Sequence, residues 1–278
     1  MLHIAIISSS KDPAGVNIRD NLTELFDFKK TNENFEGNDV FEFNGIKNKT
    51  IKLYLINEDL IFAENIDKKI HADILIFASK HRSKENTPSF TVHPIGNFGD
   101  ADFGGEEKKL CPSSAVLLKN LFVELNKNAK QTNYELTIEA THHGPYVEKP
   151  AVFVEIGSAE TEWNGKENGM IIANTIINAI EKEGINYISC SLVGGGHYNQ
   201  AANKIMLRTN YAVGHICPKY ALEYLNEEII MQAINKTIPK PNIVLLDWKG
   251  LSMHKQKIVD LLEKLNFKYE RIQNILKI

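Results

Sequence analysis

The chain has 278 residues, of which 43% are hydrophobic and 24% are charged, and its formal net charge is −3. This composition is typical of a soluble globular protein that can bury its own core, and it excludes disordered, collagen-like and coiled-coil chains. Most nucleic-acid-binding proteins carry an excess of basic residues, and the net charge of this chain shows no such excess. The three cysteines include no Cys-x-x-Cys pair, which argues against a disulfide framework and against a thiolate zinc site.

The N-terminal segment begins with a short apolar run at residues 2–7 that ends in three serines. It therefore has neither the basic start nor the long apolar core of a signal peptide. No apolar run approaches the length that spans a bilayer. We expect a cytoplasmic protein that does not use a membrane.

Strand-like and helix-like patterns alternate along the rest of the chain. Short β-branched apolar runs predict strands at 2–7, 40–43, 51–56, 73–78, 134–140, 151–156, 187–193, 211–216 and 243–246. Helical spacing of apolar residues predicts helices at 14–28, 113–129, 167–182, 200–207, within 218–236 and at 252–265. Residues 79–112 show no periodicity and are predicted to form one long functional loop.

This alternation predicts an α/β fold, a three-layer sandwich with a mostly parallel or mixed central sheet covered by helices on both faces. No repeat or convincing linker interrupts it. A single compact α/β domain over residues 1–278 is therefore preferred to two domains divided near residue 130.

The C-terminal segment is basic, because residues 236–278 hold nine Lys and Arg against four acids, whereas residues 155–183 are acidic. Such a basic face could hold an RNA backbone. A solvated helix face explains the same lysines equally well.

Five histidines fall in loops that follow predicted strands: His81, His93, His142, His143 and His197. Ligands bind beyond the carboxyl ends of strands in such sheets, and histidine both transfers protons near neutrality and binds metals. Each of them alone could simply bond to backbone. Their shared position after strands predicts a common site.

The pair His142-His143 directly follows a strand. Adjacent residues of extended backbone point in opposite directions, so only one imidazole is expected to face a reacting group, and both can bind one ion only if the chain turns there. Glu155 near the end of the neighbouring strand could orient one of them, as supporting carboxylates do. A solvated carboxylate is the alternative.

The run Gly194, Gly195 and Gly196, followed by His197 and Tyr198, lies between a predicted strand and a predicted helix. Backbone amides of such a turn can receive a developing oxyanion. Walker A, full dinucleotide, His-Glu-x-x-His and Gly-x-Ser-x-Gly motifs are absent from the sequence, which disfavours the nucleotide-binding folds, zinc peptidases and serine hydrolases that carry them.

Seven blocks, read in order, resemble the motif series of the archaeal-type D-aminoacyl-tRNA deacylases. They lie at residues 81–83, 90–97, 139–145, 153–158, 195–198, 214–216 and 247–251. The most distinctive are Thr-His-His-Gly-Pro at 141–145 and Glu-Ile-Gly-Ser at 155–158. The sequence departs from the expected pattern at Asn199-Gln200, where a small residue and a proline are expected, which puts the shape of that turn in question.

The resemblance implies hydrolysis of the ester that joins a D-amino acid to tRNA, a core similar to phosphorylase and peptidyl-tRNA hydrolase folds, and zinc. The expected roles are then as follows: catalysis by His142, His143, His197 and Glu155; substrate or RNA binding by His81, His93, Gly194, Gly195, Gly196, Tyr198 and Lys249; zinc binding by His142, His143, His197 and His215. We expect D-aminoacyl-tRNA as the partner, a monomer, and no obligate protein partner.

Two other interpretations remain open at this point. The same strand and loop architecture would serve another hydrolase or phosphorylase, such as a peptidyl-tRNA hydrolase, a nucleoside phosphorylase or a metal-dependent amidohydrolase. A non-catalytic RNA-binding protein whose histidines only bond to backbone is the third. Release of D-tyrosine but not L-tyrosine from charged tRNA would separate the first interpretation from the others.

Overall fold

The computed structural model describes residues 1–84, 86–182 and 186–277. The strands, in chain order, are β1 (Leu2–Ser9), β2 (Lys29–Phe35), β3 (Asn38–Phe43), β4 (Lys49–Ile56), β5 (Ile74–Arg82), β6 (Ser89–Pro94), β7 (Ser113–Ser114), β8 (Glu135–Ile138), β9 (Ala151–Ser158), β10 (Ile188–Val193), β11 (Tyr211–Cys217), β12 (Thr237–Ile238), β13 (Val244–Leu246) and β14 (Tyr269–Arg271). The helices are α1 (Pro13–Leu25), α2 (Ala115–Asn128), α3 (Glu160–Asn164), α4 (Lys166–Glu181), α5 (Gln200–Arg208), α6 (Glu227–Asn235), α7 (Lys255–Lys264) and α8 (Ile272–Leu276).

Eight strands form a large mixed sheet in the order β2-β3-β4-β1-β5-β9-β6-β8. Its centre is parallel, since β1 pairs in parallel with β4 and β5, and β5 with β9. β6 runs antiparallel to β9, and β8 is parallel to β6. Helices flank this sheet, which confirms the predicted α/β class with a mixed central sheet.

The last third of the chain builds a second sheet, in which the parallel strands follow the order β11-β10-β13-β14. Its apolar side chains pack into the same core as those of the large sheet: Ile6, Phe122 and Val154 share one buried cluster with Leu192 and Ile216. Residues before and after position 130 contribute to this cluster.

The prediction of one long loop at residues 79–112 is wrong in its first half. β5 continues to Arg82, and β6 is a strand whose six residues are all buried between β9 and β8. Phe90 and Val92 are apolar core residues, whereas Thr91 and His93 between and after them are polar. The polar residues interrupt the apolar run, so the run is too short to predict a strand. Glu85 lies outside the described residues.

A line of backbone hydrogen bonds, which we call the seam, joins the exit of β8 to the loops of the small sheet. Ala140 N–H donates to the carbonyl of His197 at 2.8 Å, and Thr141 N–H to that of Ile216 at 3.0 Å. Asn199 N–H donates to the carbonyl of Ile138 at 2.9 Å. The seam therefore holds the histidine-bearing loop after β8 against the glycine turn after β10.

Asn199, which departs from the pattern of the resembled family, shapes that turn. Its side-chain oxygen accepts from Ala202 N–H and caps α5, while its amide group donates to the carbonyls of Gly194 and Gly196. Gly194 and Gly195 have positive φ angles of 106° and 88°, a conformation that glycine adopts without strain. Asn199 thus stabilises the turn.

The helices of the described ranges include none that is both long and apolar enough to cross a membrane.

Candidate active site

A cleft of about 1250 Å³ opens at the carboxyl end of β5, next to the ends of β8 and β9. Small-molecule pockets usually measure about 300–1,000 Å³, so this cleft has room for more than a free amino acid. His81, His142, His143, His197 and Glu155 all line it. The structure therefore brings together residues that lie more than a hundred positions apart in the chain.

Strand register explains this convergence. Thr91 on β6 and Ser79 on β5 both stand opposite Glu155 on β9, so three neighbouring strands present polar side chains at one level. His93 lies two residues further along β6, fully buried beneath the cleft. The loop after β8 then runs alongside, with His142 bridged to Ile95.

Three imidazoles form a cluster at the floor. The centroid of the His93 ring lies 4.2 Å from that of His142 and 4.8 Å from that of His143, and the centroids of the His142 and His143 rings are 4.3 Å apart. The Nδ1 atom of each faces a backbone carbonyl, that of Pro94, Ala140 or Gly144, at 2.6–3.2 Å. A carbonyl only accepts, so each Nδ1 carries a proton, and each ring presents an Nε2 lone pair when it is neutral.

The expectation that His142 and His143 point to opposite sides is wrong. His143 has a positive φ angle of 44°, which turns the chain and places both rings on the same side. A positive φ is uncommon for a residue other than glycine and costs on the order of 1–3 kcal/mol. Strain of this kind, at a position where two imidazoles meet, points to a functional arrangement.

Glu139 is the residue that the sequence analysis missed as a site residue. It directly follows β8, is fully buried, and has His197 Nε2 at 3.0 Å, His81 Nδ1 at 3.1 Å and His142 Nε2 at 3.4 Å from its oxygens. Despite these distances, neither oxygen receives a well-directed hydrogen bond. Its place just before Thr-His-His was the only available signal.

Glu155 and His81 form a buried charged pair. Glu155 Oε2 accepts from the Thr91 hydroxyl at 3.1 Å and lies 3.4 Å from His81 Nδ1. Burial opposes ionisation, but the adjacent rings of His81 and His93 outweigh it and lower the pKa of Glu155 to about 2. Burial likewise opposes a charge on His81, yet Glu155 and Glu139 raise its pKa to about 9. His81 is therefore a cation at neutral pH, and its Nε2–H donates to Tyr198.

The pKa values of the two adjacent histidines shift the other way. Burial lowers the pKa of His143 to about 4, and burial together with the neighbouring imidazoles holds that of His142 well below its ordinary value. Both rings are neutral at physiological pH and keep their Nε2 lone pairs. His93 differs, because Glu155 raises its pKa against the effect of burial, so a bound cation would compete with a proton at this ring.

These side chains meet the requirements of a metal ion. One nitrogen from each of His93, His142 and His143 lies within 4.8 Å of the other two, and Glu139, His142 and His197 form a second such group. His93 Nε2 is buried without a hydrogen-bond partner, as are both oxygens of Glu139. Orphaned lone pairs on rings whose other nitrogen donates to a carbonyl are typical of histidine metal ligands.

Several expected site residues have other surroundings. Both nitrogens of the buried His215 are occupied, by the Thr141 hydroxyl at 3.2 Å and the Cys111 carbonyl at 3.0 Å, so His215 has no free ring nitrogen to bind a metal. Gly194 N–H donates to the carbonyl of Cys217 and cannot serve an oxyanion. Lys249 is exposed and does not line the cleft, and neither do Gly195, Gly196 and Tyr198.

Comparison with known proteins agrees with the resemblance stated above. A family model described as D-aminoacyl-tRNA deacylase matches residues 68–270. Among curated relatives named D-aminoacyl-tRNA deacylase, that of Thermococcus onnurineus is 36% identical over 253 residues, covering 88% of this chain and 90% of the relative. That of Archaeoglobus fulgidus is 35% identical over 261 residues, covering 92% and 91%.

A solved structure extends the comparison to the fold. A crystal structure described as a conserved protein of unknown function superimposes with a TM-score of 0.90 at 32% sequence identity, covering 99% of this chain and 97% of the other. Both sheets are therefore common to the two chains.

Proposed function

The chain belongs to the D-aminoacyl-tRNA deacylase family, and from this premise we propose that its cleft hydrolyses the ester between a D-amino acid and the terminal ribose of tRNA. The products are the free D-amino acid and tRNA. The observation that carries the proposal is the group of imidazoles and buried carboxylates at the floor of a cleft large enough for the end of an RNA.

We assign the metal to the cluster of His93, His142 and His143, with Glu139 and His197 next to it. Neutral imidazoles and carboxylates suit zinc, and three protein ligands with an open position are typical of catalytic zinc. A zinc ion held there would supply Lewis acidity to the ester carbonyl or to the attacking water. His93 takes the place of His215, the ligand expected from the sequence, since of these two residues only His93 has a free Nε2.

His197 is the residue we assign to proton transfer. It lines the cleft, its side chain is 35% exposed, and its Nε2 lies 3.0 Å from Glu139. With the proton on Nε2, the nitrogen nearer to Glu139, Nδ1 is the basic nitrogen, and it faces the Tyr220 hydroxyl at 3.1 Å. Tyr220 or a water in its place can pass a proton to this nitrogen, which makes Glu139 the group that fixes the tautomer.

Glu155 and His81 support this floor. The imidazolium of His81 lies between the carboxylates of Glu155 and Glu139 and offsets part of their charge. Glu155 thereby stays ionised although it is buried, and it fixes the orientation of the rings above it. A protein that merely bound RNA would have no need of buried, unpaired lone pairs directed at one point, which cost free energy to keep.

The substrate also bears on the cellular location of the protein, and we add a proposal on its oligomeric state. Because aminoacyl-tRNA is consumed in the cytoplasm, we propose a cytoplasmic enzyme. We propose that the protein acts as a monomer and requires no protein partner.

The decisive experiment compares release of D-tyrosine and L-tyrosine from charged tRNA. We expect release of the D form only, and replacement of His143 by alanine to slow it at least about 100-fold. His71→Ala, an exposed histidine outside the cleft, is the matched control. Release of neither form would overturn the proposal and favour another hydrolase; tRNA binding without turnover would favour a binding protein.

Metal dependence is tested separately. We expect the purified protein to contain zinc by mass spectrometry, to lose activity when a chelator removes it, and to regain activity when zinc is added. Full activity in a preparation shown to be free of metal would disprove the catalytic role of the ion. It would leave the proposed hydrolysis of the ester unaffected.

A further inference from the structure

The rim of the cleft has two chemically different walls, and this asymmetry bears on how the RNA enters. One wall is the carboxyl end of β5 with the turn that follows it; the other is the segment from Gly96 to Phe103 together with Tyr220 and Tyr224. The volume of about 1250 Å³ exceeds what an amino acid fills. If the proposed function is correct, each wall receives a different part of the RNA.

The first wall is cationic. Lys80, Arg82 and Lys84 are alternate residues at the end of β5 and in the following turn, and all three line the cleft. The Arg82 guanidinium lies 5.8 Å from the centre of the Trp163 ring, which holds it at the rim. Among residues 1–84, 86–182 and 186–277, no carboxylate forms an ion pair with Arg82 or Lys84. The charges of Arg82 and Lys84 are therefore free to meet phosphate oxygens.

The second wall presents aromatic rings. Phe103 is 68% exposed and Tyr224 is 36% exposed although both line a cleft. Exposed rings of this kind are stacking surfaces for unpaired bases, because every base has a flat face that stacks on an aromatic side chain. Phe103 is the more accessible of the two and is the ring that we assign to a base.

The loop that carries Phe103 is firmly anchored. Its carbonyl accepts from Gly144 N–H at 3.1 Å, the residue directly after His143, and Asn97 donates to the carbonyl of Gly104 at 2.9 Å. A Cβ at Gly104 would lie 1.8 Å from the Ile61 carbonyl oxygen, so this turn packs tightly against its neighbour. Phe103 is thus held at a fixed place relative to the imidazole cluster.

Acidic residues set the direction of the substrate. Asp100 and Asp102 line the cleft beside Phe103 and repel phosphate from the aromatic wall. A nucleobase is uncharged and is accepted there, whereas the sugar–phosphate chain is drawn to the cationic wall.

We infer that the 3′ end of the tRNA crosses the cleft with its phosphates along Lys80, Arg82 and Lys84 and its terminal base stacked on Phe103. This places the ester between the two walls, above the histidines. The RNA contact thereby moves from the basic C-terminal face, and from Lys249 in particular, to the end of β5.

The phosphate contacts of the cationic wall are tested with the double variant Arg82→Ala/Lys84→Ala, assayed on D-tyrosyl-tRNA over a range of salt concentrations. We expect KM to rise about tenfold with kcat unchanged, and the slope of log(kcat/KM) against log salt to become shallower by about 1.4, roughly 0.7 for each lost phosphate contact on a single strand. Lys204→Ala/Arg208→Ala on α5 removes the same charge outside the cleft and is expected to change neither quantity.

The stacking of the terminal base on Phe103 is tested with D-tyrosyl-adenosine, which keeps the base and the ester but carries no phosphate. We expect Phe103→Ala to lower kcat/KM roughly 5- to 150-fold on this compound and on D-tyrosyl-tRNA alike. Phe103→Trp restores stacking and should restore activity. The Arg82→Ala/Lys84→Ala variant should hydrolyse D-tyrosyl-adenosine as the wild type does.

The two proposals fail in different ways. If the wild type does not hydrolyse D-tyrosyl-tRNA, the proposed function is wrong. If it does, but the variants of the rim behave as the wild type, or Lys249→Ala raises KM and flattens the salt slope instead, the RNA lies elsewhere and only this inference is overturned.

Discussion

Glu139 is the residue on which the geometry of the site depends most. A fully buried carboxylate costs several kcal/mol unless charges or hydrogen bonds compensate it. Here the compensation comes from the imidazolium of His81 and the Nε2–H group of His197, which lie on two other chain segments. The same carboxylate therefore holds the segments together and orients the rings.

We predict that Glu139→Gln lowers kcat/KM for D-aminoacyl-tRNA at least about 100-fold while the protein still folds. Glutamine has nearly the same shape but lacks the negative charge that fixes the tautomer of His197 and takes part in the second group of ligands. The measurement is the initial rate of deacylation, with circular dichroism to confirm the fold.

Glu135→Gln provides the control, because Glu135 begins the strand that Glu139 follows and its side chain is exposed. It is expected to leave the rate unchanged. Equal rates for the two variants would show that Glu139 has no part in the chemistry.

Part of this site could be predicted from single residues, and part could not. His81, His93, His142, His143 and His197 are expected to share a site because they follow strands. Glu139 is not, since a strand-end glutamate looks like any solvated one until its burial is known. The metal role expected for His215 illustrates the converse, because only the structure reveals that both its nitrogens are occupied.

At the scale of elements, α2 and β11 are joined by a buried lysine. Lys119 on α2 donates to the carbonyls of Thr209 and Tyr211 at 2.6 and 2.8 Å, at the start of β11. Its ammonium group also lies 4.3 Å from the centre of the Tyr187 ring. This contact fixes the small sheet against the helix layer of the large one.

We predict that Lys119→Met lowers the free energy of unfolding by about 1–3 kcal/mol, since it leaves buried carbonyls without donors. Lys127→Met on the same helix removes an exposed lysine that pairs with Glu124 and should cost no more than about 1 kcal/mol. Urea unfolding of both variants gives the comparison. A smaller loss for Lys119 than for Lys127 would mean that the buried contact contributes nothing.

Apolar periodicity locates most of the helices and central strands to within a few residues. It fails at β6, where polar side chains that serve the site alternate with the apolar ones, and at β2, an edge strand of mostly exposed residues. In both, the strand is formed by pairing with neighbours distant in sequence, which no local pattern records. The sequence also predicts the start of α2 one residue early, at Ser113, whereas Ser114 is the N-cap.

At the scale of the whole molecule, all three cysteines are free and buried. Burial raises the pKa of Cys111 to about 12 and also raises those of Cys190 and Cys217. Since the thiolate is the reactive form, we predict that a thiol reagent leaves the folded protein unmodified and modifies three cysteines after unfolding in guanidinium. Rapid reaction of a thiol in the native protein would disprove this.

The division of strands between the large and the small sheet is the feature of the whole fold that the sequence does not reveal. Alternating strands and helices indicate the class, but they do not say that β10, β11, β13 and β14 pair among themselves instead of extending the large sheet. That choice depends on long-range packing, above all on the seam and the core that the two sheets share.

The seam also dictates when the protein becomes active during its synthesis. About 190 residues, including four of the five clustered histidines, have left the ribosome before His197 and the strands of the small sheet can dock against β8. Until then the growing chain lacks a complete catalytic centre, so deacylase activity is expected only once the small sheet has been synthesised and has docked.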